Sequence, residues 1–242
     1  LLLLVLMGAC NSGSVMTQAT GFAYEVVVVM DQKDWKGPAG EAIKSELASS
    51  VPGLPQAEPS LKITYVQPKD FTGLLRYVRN ILVVTIDPTA YTKVSVGYEN
   101  NVWARGQVVV SLKAPNTESI VEYSKTHEKA LVNFFVKVEM NRAIEQLQKE
   151  YSMVVMDNLK SDLNVMLNAP ANFTYYKDTT DFFWSSNNAN TGRMDLIVYT
   201  FPYTDPNTFT EEYLVAKRDS VLKANLPGSF PGSYMQTETR AG

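Results

Sequence analysis

Ala23–Met30 reads AYEVVVVM and sets the core of the first part of this chain. Four successive valines favour a strand, because β-branched side chains pack well on a pleated surface. The run contains no alternating polar residue, which predicts a strand buried on both faces. The sequence on either side of Val26–Val29 should therefore supply the elements that cover it.

Helix and strand patterns alternate after this strand. Gly37-Pro38 suits a helix start, since proline at the first helical position loses no hydrogen bond, and Ala42 and Leu47 continue the helical spacing. The next predicted elements are strand Leu61–Val66, helix Phe71–Val78, strand Ile81–Ile86, and a hairpin of Val94–Val96 with Val102–Leu112 around Glu99-Asn100-Asn101. The order β-α-β-α-β-β predicts an α+β or α/β layer arrangement for residues 21–115.

The segment from Thr117 to about Met153 predicts one long helix, because it lacks proline and glycine and is rich in Glu, Lys, Leu and Ala. Apolar residues recur in it at helical spacing, and we expect the face Val136–Met140–Ala143–Leu147 to be buried against the sheet. A polar substitution on that face should therefore disturb the fold.

The last third returns to short strand patterns. The predicted strands are Asn164–Leu167, Phe173–Tyr176, Asp181–Ser185 and Met194–Phe201, followed by a helix over Thr208–Asn225 and a final strand at Tyr234-Met235. The fold class predicted for the whole chain is α+β, with mixed or antiparallel sheet layers packed on helices, including one long central helix. Residues 116–242 form the second half in this division.

The first ten residues point to a membrane anchor. Leu1–Met7 is apolar, and Gly8, Ala9 and Cys10 follow, an order that resembles the lipobox of bacterial lipoproteins, with Met7 where leucine is usual. The apolar run is too short to span a bilayer and fits a signal peptide, so the chain is expected to start inside its signal. The resemblance implies lipid on Cys10, and residues 10–20 are typical of a flexible tether. The alternative is a buried N-terminal strand with an inert core cysteine.

Composition excludes several classes of protein. The 242 residues are 45% hydrophobic and 19% charged with a net charge of −3, an ordinary globular balance without the basic surface of a nucleic-acid-binding protein. A single cysteine allows neither a disulfide framework nor a thiolate metal site. No motif for phosphate, zinc, calcium or a serine nucleophile occurs, so we expect no catalytic residue, no metal and no cofactor.

Few residues qualify as functional candidates. His127, the only histidine, lies among charged neighbours and is expected to be solvated on its helix. Asp31 follows the first buried strand, where sites in α/β proteins gather, although it more simply caps or solvates the next turn. Arg79 closes a predicted helix and precedes a buried strand. It is expected either to cap the end of that helix or to bind an anion. Trp184, beside Phe182 and Phe183, is either core or a stacking platform for sugar, and its weakly alternating strand favours core.

Several segments resemble an uncharacterised family, a domain of unknown function found in lipoproteins of Bacteroides-like bacteria. The segments are Pro52-Gly53-Leu54-Pro55-Gln56-Ala57-Glu58-Pro59, Arg79-Asn80-Ile81, Phe183-Trp184, Pro227-Gly228 and Gly232-Ser233-Tyr234-Met235-Gln236-Thr237-Glu238. The resemblance covers nearly the whole chain after Cys10. It implies a place in the cell envelope and leaves activity open, because that family has no assigned reaction. The chain is expected to be incomplete at both ends.

Two classes of function follow. The first is a non-enzymatic lipoprotein on the periplasmic face of the outer membrane, which binds or scaffolds a periplasmic protein partner. The alternative is an envelope hydrolase whose carboxylate pair the sequence does not identify, with Asp31/Asp34 and Glu211/Glu212 as examples. The lack of cysteine and histidine chemistry favours the first class. A concave pocket with convergent carboxylates would favour the enzyme, and a flat aromatic patch the binding module.

Overall fold

A computed structural model describes residues 16–54 and 56–238 of the chain. Their contacts form two compact units: one holds the residues up to Val51 together with Ala57–Glu139, and the other holds Pro52–Gln56 and the chain from Met140 onward. The predicted boundary between residues 115 and 116 lies earlier than this division. The predicted fold class, α+β with mixed and antiparallel sheets packed on helices, is confirmed.

The first unit contains a five-stranded sheet in the order β2-β1-β3-β5-β4. Its strands are β1 (Glu25–Val29), β2 (Lys62–Val66), β3 (Asn80–Ile86), β4 (Ser95–Asn100) and β5 (Val108–Ala114). Neighbouring strands run parallel except at one edge, where β4 pairs antiparallel with β5. The valine strand β1 therefore lies between β2 and β3 in the parallel part of the sheet.

Both faces of this sheet are covered, as the valine run predicts. Four helices accompany the sheet: α1 (Gln32–Trp35), α2 (Pro38–Leu47), α3 (Thr117–Thr126) and α4 (Ala130–Lys149). Val26 and Val28 join one buried cluster with residues of α2, α3 and α4. Val27 and Val29 join a second cluster on the other face with Phe71. Alternate valines thus supply two separate cores.

Two predictions for the first unit need correction. The predicted helix Phe71–Val78 is a short 3-10 helix, Gly73–Tyr77. The predicted hairpin turns later than expected, because β4 continues to Asn100 and Asn101 adopts a left-handed conformation (φ 56°). Side chains close the loop: Gly106 N–H donates to Asn101 Oδ1, and Trp103 N–H donates to Gln107 Oε1. These bonds replace the strand pairing that the valine pattern predicted for the residues just after Asn101.

The predicted long helix is wrong, because the segment forms three helices, α3, α4 and α5 (Met153–Leu163). Lys129 has a left-handed backbone (φ 62°) between α3 and α4, which no helix interior tolerates. Ser152 starts α5 by accepting a hydrogen bond from Val155 N–H. No proline or glycine marks either break.

The predicted buried face of that segment is also wrong beyond its first residues. The buried side chains of α4 are Leu131, Val132, Phe135 and Glu139. Met140 is 53% exposed. The buried stripe thus follows the i, i+4 spacing from Leu131 through Phe135 to Glu139. A search for apolar residues at helical spacing leaves out the glutamate.

The second unit contains a three-stranded antiparallel sheet of β6 (Tyr175–Thr179), β7 (Phe182–Ser186) and β8 (Asp195–Tyr199), in that order. Val155 and Leu159 of α5 pack with Phe183 of β7 in its core. Helix α6 (Glu211–Asn225) follows the sheet. The predicted strand Asn164–Leu167 is absent, because Asn164 ends α5 in a left-handed conformation. Tyr234 makes only a single bridge with Pro227 in place of a final strand.

The predicted tether is held against the first unit over its last described residues. Ala19 N–H donates to Arg105 O at 2.9 Å, and Thr20 N–H donates to Tyr77 O at 2.8 Å. Backbone bonds of this kind fix residues 17–20 in place, so the prediction of a flexible spacer is wrong for these residues. Cys10 and the predicted signal lie outside the described residues. None of the described helices combines the length and apolar composition needed to cross a bilayer.

Candidate functional site

A cleft beside Trp184 is a candidate site within the second unit. Its volume is about 500 Å³, within the range of small-molecule sites. It is lined by Trp184, Arg193, Asp195, Ile197, Asn225, Leu226, Pro227, Gly228, Ser229 and Met235. One wall therefore comes from β7 and β8, and the other from the loop that follows α6.

The two-residue period of β strands places Trp184 in this cleft. Phe183 points to the core with α5 and is 2% exposed, so its neighbour Trp184 points to the opposite face. Trp184 is half-buried, and it pairs with Ile197 of β8, which lines the same cleft. The core placement favoured by the sequence holds for Phe182 and Phe183 and is wrong for Trp184.

Hydrogen bonds fix the polar groups beside the indole ring. Trp184 Nε1–H donates to Asp195 Oδ1 at 2.9 Å. Arg193 Nε and Nη2 donate to the same carboxylate, with Nη2 at 3.1 Å from Oδ1. Burial alone would raise the pKa of Asp195, but the bonds from Arg193, Ser186 and Trp184 together lower it. Asp195 is therefore ionised near neutral pH and holds both side chains in position.

This arrangement suits an uncharged polar ligand. The Arg193 and Asp195 charges already neutralise each other, so neither sign of ligand charge gains a free partner. Hydroxyl groups can accept from a guanidinium and donate to a carboxylate, and an indole offers an apolar surface for a sugar ring. Lys177, which pairs with Trp184 from β6, donates from its Nζ to Asn225 O at 2.8 Å and so contacts the end of α6 that lines the cleft.

Sequence reasoning missed Arg193 and Asp195, although a signal was available. Asp195 lies two residues before Ile197, the residue paired with Trp184. In a strand, residues two apart point to the same face, so a pairing of these strands places Asp195 beside the indole. Arg193 lies in the loop before β8, where strand periodicity gives no position.

Arg79 is part of a buried ion pair. Its Nη2 lies 2.8 Å from Glu139 Oε2, and the Glu139 side chain is only 2% exposed. Asn80 Nδ2 donates to Glu139 Oε1 at 2.7 Å and also to Glu25 O at 2.8 Å. This network ties α4 to the start of β3 and β1. The structure thus supports neither the helix-cap nor the anion-binding role considered for Arg79.

Asp31 lies at the opposite end of the parallel strands from Arg79, in the same sheet. It follows the carboxyl end of β1, whereas Arg79 precedes the parallel strand β3, so the two side chains are not brought together. Asp31 is exposed and starts α1 through its carbonyl, which accepts a bond from Trp35 N–H, while its carboxylate makes no capping bond. The simpler sequence interpretation, solvation at a turn, describes this position.

His127 lies between α3 and α4 and is exposed, with its ring stacked on Tyr123 at a centroid distance of 4.3 Å. Near it, sequence reasoning missed a buried carboxyl. Glu46 of α2 is 8% exposed, and its Oε1 accepts a bond from Leu131 N–H at the start of α4. Burial raises the pKa of Glu46, and this effect outweighs the opposing effects of the Leu131 N–H, the Ser124 hydroxyl and His127.

The second unit also brings two carboxyl groups together, Asp162 of α5 and Asp178 of β6. Burial, a hydrogen bond with Asp162 and the negative charge of Asp162 raise the pKa of Asp178. Hydrogen bonds from Ser161 and Asp178 lower the pKa of Asp162. Two carboxyl groups with separated pKa values can divide acid and base roles. Among the described residues, no group of three or more potential ligands is arranged to hold a metal.

Comparison with known families divides the chain in two. Residues 19–148, more than half of the chain, match the family described as Domain of unknown function (DUF8532). Residues 152–242 match a second family, Domain of unknown function (DUF4837). No curated protein and no solved structure matches the chain. The protein therefore belongs to the DUF8532 family, and the rest of its described chain is similar to DUF4837. The sequence resemblance had suggested a single domain of unknown function.

Proposed function

We propose that this protein is a membrane-tethered cell-envelope lipoprotein whose second unit binds a neutral, hydroxyl-rich ligand, such as a glycan segment, in the Trp184 cleft. The envelope location is supported by the resemblance of Leu1–Cys10 to a lipobox, and the proposed location is the periplasmic face of the outer membrane. The binding role is a separate inference that depends on the cleft.

The observation that carries the binding role is the fixed group of Trp184, Arg193 and Asp195 in a cleft of about 500 Å³. An indole held by a hydrogen bond to a paired carboxylate does not need to be ordered when a ligand arrives. Such preorganisation lowers the entropic cost of binding. The other residues singled out from the sequence, Asp31, Arg79 and His127, lie in the other unit.

A glycan array followed by titration calorimetry tests this proposal. The wild-type protein should bind one class of neutral oligosaccharide, and Trp184→Ala should weaken that binding about tenfold, as expected for loss of about 1.4 kcal/mol of stacking. Trp184→Phe keeps an aromatic surface but loses the bond to Asp195, so it should bind with intermediate affinity. Trp35→Phe, in the first unit, is the matched control. Binding that is unaffected by Trp184→Ala would contradict the proposal.

The alternative function, an envelope hydrolase, is favoured by one observation, the pairing of Asp162 with Asp178. A carboxyl with a raised pKa beside an ionised one is the arrangement used in general acid–base catalysis. The purified protein should be screened with glycoside, ester and peptide substrates. Turnover that is lost in Asp178→Asn and retained in Trp184→Ala would move the hydrolase ahead of the binding module.

A further inference from the structure

Strand β4 lies at one edge of the five-stranded sheet, and no other described strand pairs with its outer side. All six of its residues are exposed, with Val96 at 42% and Tyr98 at 60%. Edge strands in soluble proteins usually carry a lysine, a proline or a bulge that prevents further pairing. Ser95–Asn100 contains no lysine or proline, and it pairs with β5 without a bulge. This edge can therefore accept another strand.

The backbone groups that face outward can be assigned from the pairing with β5. Asn101 N–H donates to Gln107 O, so this pair is hydrogen-bonded. In an antiparallel ladder such pairs alternate with pairs whose N–H and C=O groups point away from each other. Val96, Tyr98 and Asn100 therefore direct their backbone groups to the open side.

The side chains of the same residues border an apolar pocket. Val96 and Tyr98 lie on the face covered by α3 and α4, and with Leu131 and Phe134 they line a cavity of about 130 Å³. The ring of Tyr98 lies 5.0 Å from that of Phe134 between centroids. An added strand would find both backbone partners and an apolar surface at this edge.

We propose that β4 pairs antiparallel with β4 of a second copy of this chain, around a two-fold axis at Val96. In that register Val96 faces Val96 of the second copy, and Val94 faces Tyr98. Lys93 lies in the bend before β4, and extending the pairing two residues beyond Ser95 brings it opposite Glu99. Symmetry then makes this charge pair twice. Opposite charges across a strand pair stabilise it, and like charges weaken it.

The charges of Lys93 and Glu99 favour the register centred on Val96, and they favour a second copy of the chain as the partner of β4. A shift of the axis to Glu99 would place two glutamates opposite each other, and an axis at Gly97 or Tyr98 would leave Lys93 without Glu99. The same strand thus supplies both halves of a complementary pair, as a two-fold interface requires. A strand pair of six residues forms a small interface, so the dimer should be weak.

Sedimentation equilibrium of the full chain with Cys10→Ser, in a neutrally buoyant detergent, tests the pairing by charge reversal. Lys93→Glu and Glu99→Lys each place like charges opposite at both ends, and each should raise the dimer dissociation constant about tenfold. The double variant Lys93→Glu with Glu99→Lys restores opposite charges and should return the constant to near that of the parent chain.

A second variant tests the strand pairing itself. Val96→Pro removes the outward N–H while leaving the bonds between β4 and β5 intact, so it should give a monomer with an unchanged unfolding temperature. Val96→Thr keeps that N–H and should remain dimeric. If the parent chain is monomeric, the proposal is wrong, even if that monomer binds an extended peptide at this edge. A dimer indifferent to Val96→Pro and to both charge reversals would overturn it equally.

Discussion

The most consequential single residues are charged groups buried in the first unit. Glu46 and Glu139 occupy core positions of their helices, where an apolar side chain would be expected. Each has a specific partner, Leu131 N–H for Glu46 and Arg79 with Asn80 for Glu139. A buried charge that keeps its partners can be tolerated, and removal of a partner destabilises the fold.

Glu46 should make stability depend on pH. Burial raises its pKa above the ordinary 4.5, so the folded state holds the proton more tightly than the unfolded chain does. The protonated carboxyl of Glu46 therefore contributes to the free energy of unfolding in full below pH 4.5. This contribution is lost as the pH rises through the raised pKa of the folded state. Glu46→Gln stays neutral, so the free energy of unfolding of this variant relative to wild type should increase with pH above 4.5.

Urea denaturation across this pH range measures the difference. Glu41→Gln is the matched control, because it removes an exposed carboxylate from the same helix. A relative stability of Glu46→Gln that falls as the pH rises would show that the carboxylate is stabilised in the fold.

Arg79 and Lys62 provide a second comparison at the amino end of the sheet. Arg79→Met should lower the free energy of unfolding by about 2 kcal/mol, because Glu139 loses a charged hydrogen-bond donor inside the protein. Lys62→Met breaks an ion pair whose lysine is 75% exposed, so it should cost at most about 1 kcal/mol. Chemical denaturation of the two variants measures both free energies of unfolding. Equal losses of stability would mean that the Arg79–Glu139 pair is effectively solvated.

At the scale of elements, the break between α3 and α4 depends on Lys129. A left-handed backbone costs a residue with a Cβ about 1 kcal/mol relative to glycine. Lys129→Gly should therefore stabilise the protein by about 0.5–1 kcal/mol. Lys125→Gly, in the last turn of α3, should destabilise it by a similar amount. Thermal unfolding of both variants is the measurement, and a continuous helix would make both substitutions destabilising.

The elements also show what the sequence could predict. The valine run, Gly37-Pro38 and the strands of both sheets follow from local patterns that the structure preserves. The helix breaks do not, because Lys129 and Ser152 are ordinary in composition and are fixed by contacts with distant residues, such as Ser152 Oγ with Phe173 O. Trp184 was singled out from sequence, but its partner Arg193 comes from a loop whose position only the fold defines.

At the scale of the whole molecule, the proposed anchor determines where the binding unit works. Cys10→Ser, expressed with a complete signal, should shift the protein from the membrane fraction to the soluble fraction. Several acyl chains, at about 0.8 kcal/mol per buried CH₂, would otherwise hold it firmly. Fractionation with an antibody to the second unit measures this. Equal membrane retention of wild type and Cys10→Ser would contradict lipid attachment.

The central claim is that the Trp184 cleft binds the ligand, and the indole N–H signals test it most directly. The chain has three tryptophans, Trp35, Trp103 and Trp184, so a nitrogen-labelled sample should give three indole signals. Trp184→Phe assigns its signal by deletion. On titration with the oligosaccharide found by the array, the Trp184 signal alone should move, with saturation. A shift of Trp35 or Trp103 instead, or no shift of Trp184 at saturating ligand, would contradict the claim.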